Sequence, residues 1–133
     1  MKKLLSLFYA SSIISTASSS VVACTPQMIV QKKCSNDGEF SDLKENALIK
    51  LSNNVNEFKL IFKSGYNAVF VPVTFENLPA EKNLIVTPTK DDNGHDMEGY
   101  YTFTALSPFE ETTITVHSTK TKDFSFRIFY KIF

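Results

Sequence analysis

Cys24 is the residue best placed to do chemistry in this 133-residue chain. It follows Val21-Val22-Ala23, at the end of a leader that starts Met1-Lys2-Lys3 and runs through Leu4-Leu5-Ser6-Leu7-Phe8-Tyr9-Ala10 to Ile13-Ile14. A positive start, an apolar stretch and a small-residue junction are the parts of a secretory signal. A cysteine directly after the junction offers a thiol for acylation, with the chain cut between Ala23 and Cys24. Residues 1–23 are then the signal, and the mature chain begins at a diacylglyceryl-modified Cys24. Two fatty chains hold a protein stably where one holds it only marginally. A plain signal and an uncleaved anchor are the competing readings. Leu4 to Ala23 is about long enough to span a bilayer, but seven serines make its last third too polar for a helix in hydrocarbon.

The other groups that bear chemistry are sparse. Asp91, Asp92, Asp96 and Glu98 flank Asn93, Gly94 and His95, and form the densest acidic cluster. Calcium takes several oxygen ligands on a flexible loop, so these four are candidate cation ligands. Their spacing is not that of an EF-hand, and a solvated hairpin tip accounts for the same residues. His95 and His117 are the only histidines. No nucleophile-elbow sequence and no metal-ligand spacing accompanies them, so the expectation is a protein that is not an enzyme and needs no cofactor. Cys34 is the second of two cysteines. It is an odd thiol if Cys24 is acylated and its disulfide partner if Cys24 is not. Tyr66, Phe70, Tyr100, Phe129 and Phe133 fall on faces opposite the core faces, or in turns, and are candidate contact residues.

The opening MKKLLS and the junction from Ser20 to Cys24 resemble lipoprotein signals of mollicutes, in particular spiralin-type surface lipoproteins of spiroplasmas. Lysine far exceeding arginine (Arg127 alone) and the absence of tryptophan agree with that usage. The resemblance implies a lipid anchor at Cys24 and a place on the outer face of the cell membrane.

Removing residues 1–23 takes away Lys2 and Lys3 and leaves 110 residues, one domain by length, with 12 basic against 14 acidic side chains. No basic patch points to nucleic acid. Residues 24–45 are polar and turn-rich and read as a flexible tether, with an r.m.s. reach of roughly 25 Å. Met28-Ile29-Val30 is its one apolar patch, a linker segment or a short edge strand. Leu48 to Leu51 is a first strand or part of a helix, and the strand is preferred because the segments C-terminal to it are uniformly β.

From Phe58 onward the apolar period is two. Phe58, Leu60 and Phe62 share a face, as do Val69, Val71, Val73 and Phe75. Leu84 to Thr87 is a short strand ended by Pro88. Asp91-Asp92-Asn93-Gly94 signals a hairpin. Tyr101, Phe103 and Ala105 form the next face, then Ile114 and Val116, opposite Thr113, Thr115 and His117. Phe124, Phe126, Ile128, Tyr130 and Ile132 form the last. Short alternating strands with turns between them predict an all-β fold: a small antiparallel sandwich of six to seven strands over residues 46–133. The segments Tyr100 to Leu106, Thr112 to Val116 and Phe124 to Ile128 resemble the closing strands of bacterial immunoglobulin-like domains. That resemblance implies an immunoglobulin-like sandwich and carries no function.

Together these readings predict a lipid-anchored surface protein that presents a β-sandwich to a host protein or glycan. The alternative is a structural or accessory lipoprotein that self-associates or packs with a membrane complex.

Overall fold

The computed structural model describes residues 25–34 and 38–132. Among them are nine strands and no helix: β1 (Met28–Cys34), β2 (Ser41–Leu43), β3 (Leu48–Leu51), β4 (Glu57–Ser64), β5 (Thr74–Glu76), β6 (Leu84–Lys90), β7 (Asp96–Ala105), β8 (Phe109–His117) and β9 (Phe124–Tyr130). They form a five-stranded sheet in the order β2-β1-β4-β7-β6 and a four-stranded sheet in the order β3-β9-β8-β5. Every pairing is antiparallel except β3 on β9, which is parallel. If β1 and β4–β9 are lettered A to G, one sheet is ABED and the other CFG, the immunoglobulin arrangement. β2 extends the first sheet beyond A, and β3 extends the second beyond G.

Alternation is what makes these segments strands. β9 reads buried and half-buried at every second residue, with Phe124, Phe126, Ile128 and Tyr130 inward. β4 does the same with Phe58, Leu60 and Phe62, each fully buried. One face of each strand is dry and the other wet, as antiparallel sheets allow. The core joins the sheets through rings. Phe58 stacks on Phe103 at 4.7 Å, and Phe75 of the second sheet meets Phe62, Tyr101 and Phe103 of the first edge-on at 5.2–5.7 Å. Edge-to-face pairs place ring hydrogens against a π face, worth about 0.5–1.5 kcal/mol beyond the buried area.

Three sequence expectations are corrected. First, residues 24–45 are not a tether throughout. β1 pairs along its whole length with β4, and Met28 and Val30 enter the core. Cys34 ends that strand opposite Phe58 and packs against the core, so it is not carried on a linker. Second, the strand expected through Val69, Val71, Val73 and Phe75 changes sheets. Phe70 bridges Lys63 of the first sheet, whereas only 74–76 pair with β8 of the second. Val71 is buried, but Val69 is 55% exposed. Third, β6 does not end at Pro88. It continues to Lys90 as an edge strand, where a missing N–H is tolerated. The strand count among the described residues is accordingly nine rather than six to seven.

Gly99 sets the local geometry of the first sheet. Between Pro88 opposite Tyr101 and Lys90 opposite Asp96, β7 carries extra residues. Gly99 lies in this bulge at φ +81°, a backbone conformation that suits glycine. Beyond Ile61 opposite Tyr100, β4 takes its backbone contacts from the segment around Phe70: Val71 N–H donates to Phe62 O at 3.1 Å, and Ser64 N–H to Val69 O at 2.9 Å. The bulge thereby brings Phe70 beside Tyr100.

Candidate functional site

The outer face of the five-stranded sheet carries a line of rings. Phe40 meets Tyr100 edge-on at 6.3 Å, and Tyr100 meets Phe70 at 5.1 Å with an interplanar angle of 47°. A lysine closes each end. Lys33 Nζ sits 5.7 Å from the centre of the Phe40 ring, and Lys63 Nζ sits 5.3 Å from that of Phe70. Both distances suit attraction between a cation and the negative face of a ring. Phe40 directly precedes β2, and the other members reach this face by register. Lys33 and Lys59 pair across β1 and β4, and Ile61 pairs with Tyr100 across β4 and β7. Lys63 bridges Phe70.

The row is a second, small apolar layer outside the sandwich. Ile61 is 4% exposed yet is not part of the core between the sheets. The three rings themselves are half-buried. Gly99 makes room for them, because a Cβ there would lie 2.9 Å from Phe62 O and 3.0 Å from Phe70 Cβ. Hydroxyls continue the face along β7 and β6. Thr102 follows Tyr100 on the same side, and its Oγ1 lies 2.8 Å from Thr89 Oγ1. Two carboxylates on this face, Glu57 and Asp42, have partners, whereas Glu39 beside Phe40 and Glu98 before Tyr100 are exposed. Glu57 is 3.9 Å from Lys59 Nζ, and Asp42 accepts from Gln31 Nε2 at 3.2 Å. Among the described residues, Lys33 and Lys63 have no carboxylate within 4.0 Å.

The contact residues expected from sequence are thus divided. Tyr100 and Phe70 stand together in the row. Phe129 lies on the opposite sheet with Lys131 Nζ 5.3 Å from its ring. Tyr66 is isolated on the turn after β4 and 84% exposed. Phe133, Ala23 and Cys24 lie outside the described residues. Sequence reasoning missed Phe40, Lys33 and Lys63. A lone phenylalanine in the polar run from Gly38 to Asp42 was the available signal for Phe40.

The acidic cluster is the tip of the β6–β7 hairpin. Asp91 Oδ1 accepts the N–H groups of Asn93 and His95 at 2.8 and 2.9 Å, so this carboxylate closes the turn. Asp96 is paired with Lys90. Asp92 and Glu98 are exposed. Among the described residues, no group of three or more His, Cys, Asp or Glu side chains gathers into a metal-sized cluster.

His117 occupies a different place, on the outer face of the four-stranded sheet where β8 ends. Its Nδ1 is 2.9 Å from Asp123 Oδ1, and its Nε2 is 3.1 Å from Glu76 Oε1. Nε2 is closed off from solvent, and the Glu76 contact is ionic, off the line of a good hydrogen bond. Glu76 first and Asp123 second raise the imidazole pKa above its ordinary 6.5. Both ring nitrogens face carboxylates, which ties the edge strand β5 to the β8–β9 loop. A groove of about 350 Å³, lined by Pro72, Val73, Thr74, Ser118 and Thr119, runs beside this cluster.

No protein-family model matches the chain, and no curated protein matches it closely. Among solved structures it is similar to the S-layer protein SbsC. It overlays domains 4 and 5 with TM-score 0.41 and 16% identity over 79% of this chain and 65% of that one. Domains 1–6 of the same protein give TM-score 0.43 and 19% identity, over 81% of this chain and 17% of that one. The chain therefore spans just under two thirds of the shorter of these structures. The overlap is partial, and the fold assignment rests on the strand pairing.

Proposed function

We propose that this is a membrane-anchored surface lipoprotein that uses its sandwich to bind a host protein or glycan. The anchor is the diacylglyceryl group on Cys24, and the protein lies on the outer face of the cell membrane. The observation that carries the binding role is the row Phe40–Tyr100–Phe70, set between two lysines that have no carboxylate partner among the described residues. Half-buried rings on a sheet face give contact area at little cost in side-chain entropy, and aromatic residues are enriched where proteins bind one another.

The anchor and the fold set the geometry of presentation. Thr25, Pro26 and Gln27 alone separate Cys24 from β1, so even an extended chain carries Met28 no more than about 14 Å from the lipidated residue. Gln27 and Pro26 are tied down in turn. Gln27 O accepts from Gly65 N–H at 2.7 Å, and Pro26 O accepts from Lys122 N–H at 2.9 Å. The end bearing the β4–β5 and β8–β9 loops then sits near the bilayer, and the ring-bearing sheet face stands beside it.

Adhesion of cells displaying the chain to host-cell monolayers tests this reading. The wild type should adhere above background, and a Phe70→Ala/Tyr100→Ala variant displayed at equal density should not. Equal adhesion by both would remove the row from the binding role.

A further inference from the structure

The charge and chemistry of the row narrow its ligand, on the reading that this face is the binding face. Three features coincide on one sheet face. The rings offer π faces and edges to the C–H faces of another ring. The hydroxyl of Tyr100 makes no hydrogen bond among the described residues, and Thr87 and Thr102 carry hydroxyls farther along the same face, that of Thr102 shared with Thr89. Lys33 and Lys63 stand at the two ends with rings as their only partners among the described residues, so each has N–H donors to spend on an anion. We propose that this face binds an acidic polysaccharide: sugar rings pack on Phe70, Tyr100 and Phe40, and Lys33 and Lys63 hold the carboxylate or sulfate groups of the chain.

Charge complementarity selects this occupant. A neutral sugar would use the rings and hydroxyls and leave both lysines without an anion. Single-stranded nucleic acid also favours rings and cations, but it draws its affinity from several neutralised phosphates. The third lysine of the face, Lys59, already has Glu57 beside it. A second copy of this chain would have to bring carboxylates to the face, and self-association is therefore measured alongside.

The test uses the full chain, solubilised in detergent, over surfaces bearing hyaluronan (carboxylated), heparin (sulfated), neutral dextran and oligothymidylate. Variants are Lys33→Gln, Lys63→Gln and Phe70→Leu, each with its melting midpoint as a check on folding. The expected result is retention on hyaluronan, heparin or both, none on dextran, and weakening at raised salt. Each lysine variant should bind at least about tenfold more weakly, the loss of one charge-assisted hydrogen bond, with an unchanged midpoint. Hyaluronan alone identifies carboxylate as the anion, and heparin alone identifies sulfate. Equal retention on dextran, tighter retention on oligothymidylate, or no effect of either lysine variant would overturn the inference. So would concentration-dependent self-association, lost in the lysine variants, with no polysaccharide bound. A host protein retained through the row with no polysaccharide bound overturns this inference and leaves the adhesive reading standing.

Discussion

Gly99 and His117 are the two residues whose roles derive most directly from local geometry. At Gly99 a methyl group would meet a backbone oxygen at 2.9 Å and Phe70 Cβ at 3.0 Å, in a conformation with φ of +81°. Gly99→Ala should cost about 1–3 kcal/mol in urea unfolding and should weaken whatever binds the ring row, because Phe70 must move. His117 makes a prediction with a sign. Its pKa is raised in the fold, by Glu76 first and Asp123 second, so folding favours the protonated ring. That contribution is complete below about 6.5, the unfolded value, and is lost as pH rises through the folded one. The urea midpoint of the wild type should therefore fall between about pH 5.5 and about pH 8.5 by more than that of His117→Gln. A parallel pH profile in the variant would remove the ion cluster from the stability of the fold. The sequence placed His117 on the polar face of its strand but gave no hint of this cluster. Glu76 lies 41 residues before it, and only the β5–β8 register brings them together.

At the scale of elements, the legible parts were those where alternation is unbroken. The second half of β7, the end of β8 and all of β9 keep apolar residues on one side, and the structure has them inward, while β4 departs from this only at Ile61, which lies on the outer face. β1 was illegible because its alternation fails after Val30. Lys32 falls on the inward side, where an apolar residue would complete the pattern, and Gln31 and Lys33 make the segment look solvated. β2 is three residues long, too short for a period to show. The bulge at Gly99 and the sheet change near Phe70 depend on pairing between distant segments, which local sequence does not encode. The correction at β1 is testable. Val30 is 2% exposed within the core, so Val30→Ala should cost about 2 kcal/mol for two methylene equivalents. Phe103→Ala, at the centre of the ring cluster, should cost about 3–5 kcal/mol. A flexible tether over 24–45 would instead predict no change in the denaturant midpoint for Val30→Ala.

For the whole molecule, the strand at Met28 changes what a lipid at Cys24 means. A chain of about 21 flexible residues would hold the domain clear of the head groups, whereas three would hold it close to them. The β6–β7 hairpin, with Asp91, Asp92 and His95 at its tip, projects toward the same end as Gly65 and Gln27, because β7 passes Ile61 at Tyr100 and continues back to Asp96. With the proposed anchor in place, the ring row would stand to the side of the molecule. The sandwich itself was readable from composition and period, and the immunoglobulin pairing from its closing strands. The site was readable only in part: Tyr100 and Phe70 by their faces, but not the lysines that give the row its charge.

The proposed anchor is the premise of this arrangement, and one measurement addresses it directly: intact mass and detergent-phase partitioning of the mature protein, wild type beside Cys24→Ser. The account predicts a wild-type chain that begins at an acylated Cys24 and enters the detergent phase, with both properties lost in the variant. An unmodified wild-type chain that stays in the aqueous phase, as the variant does, would contradict it.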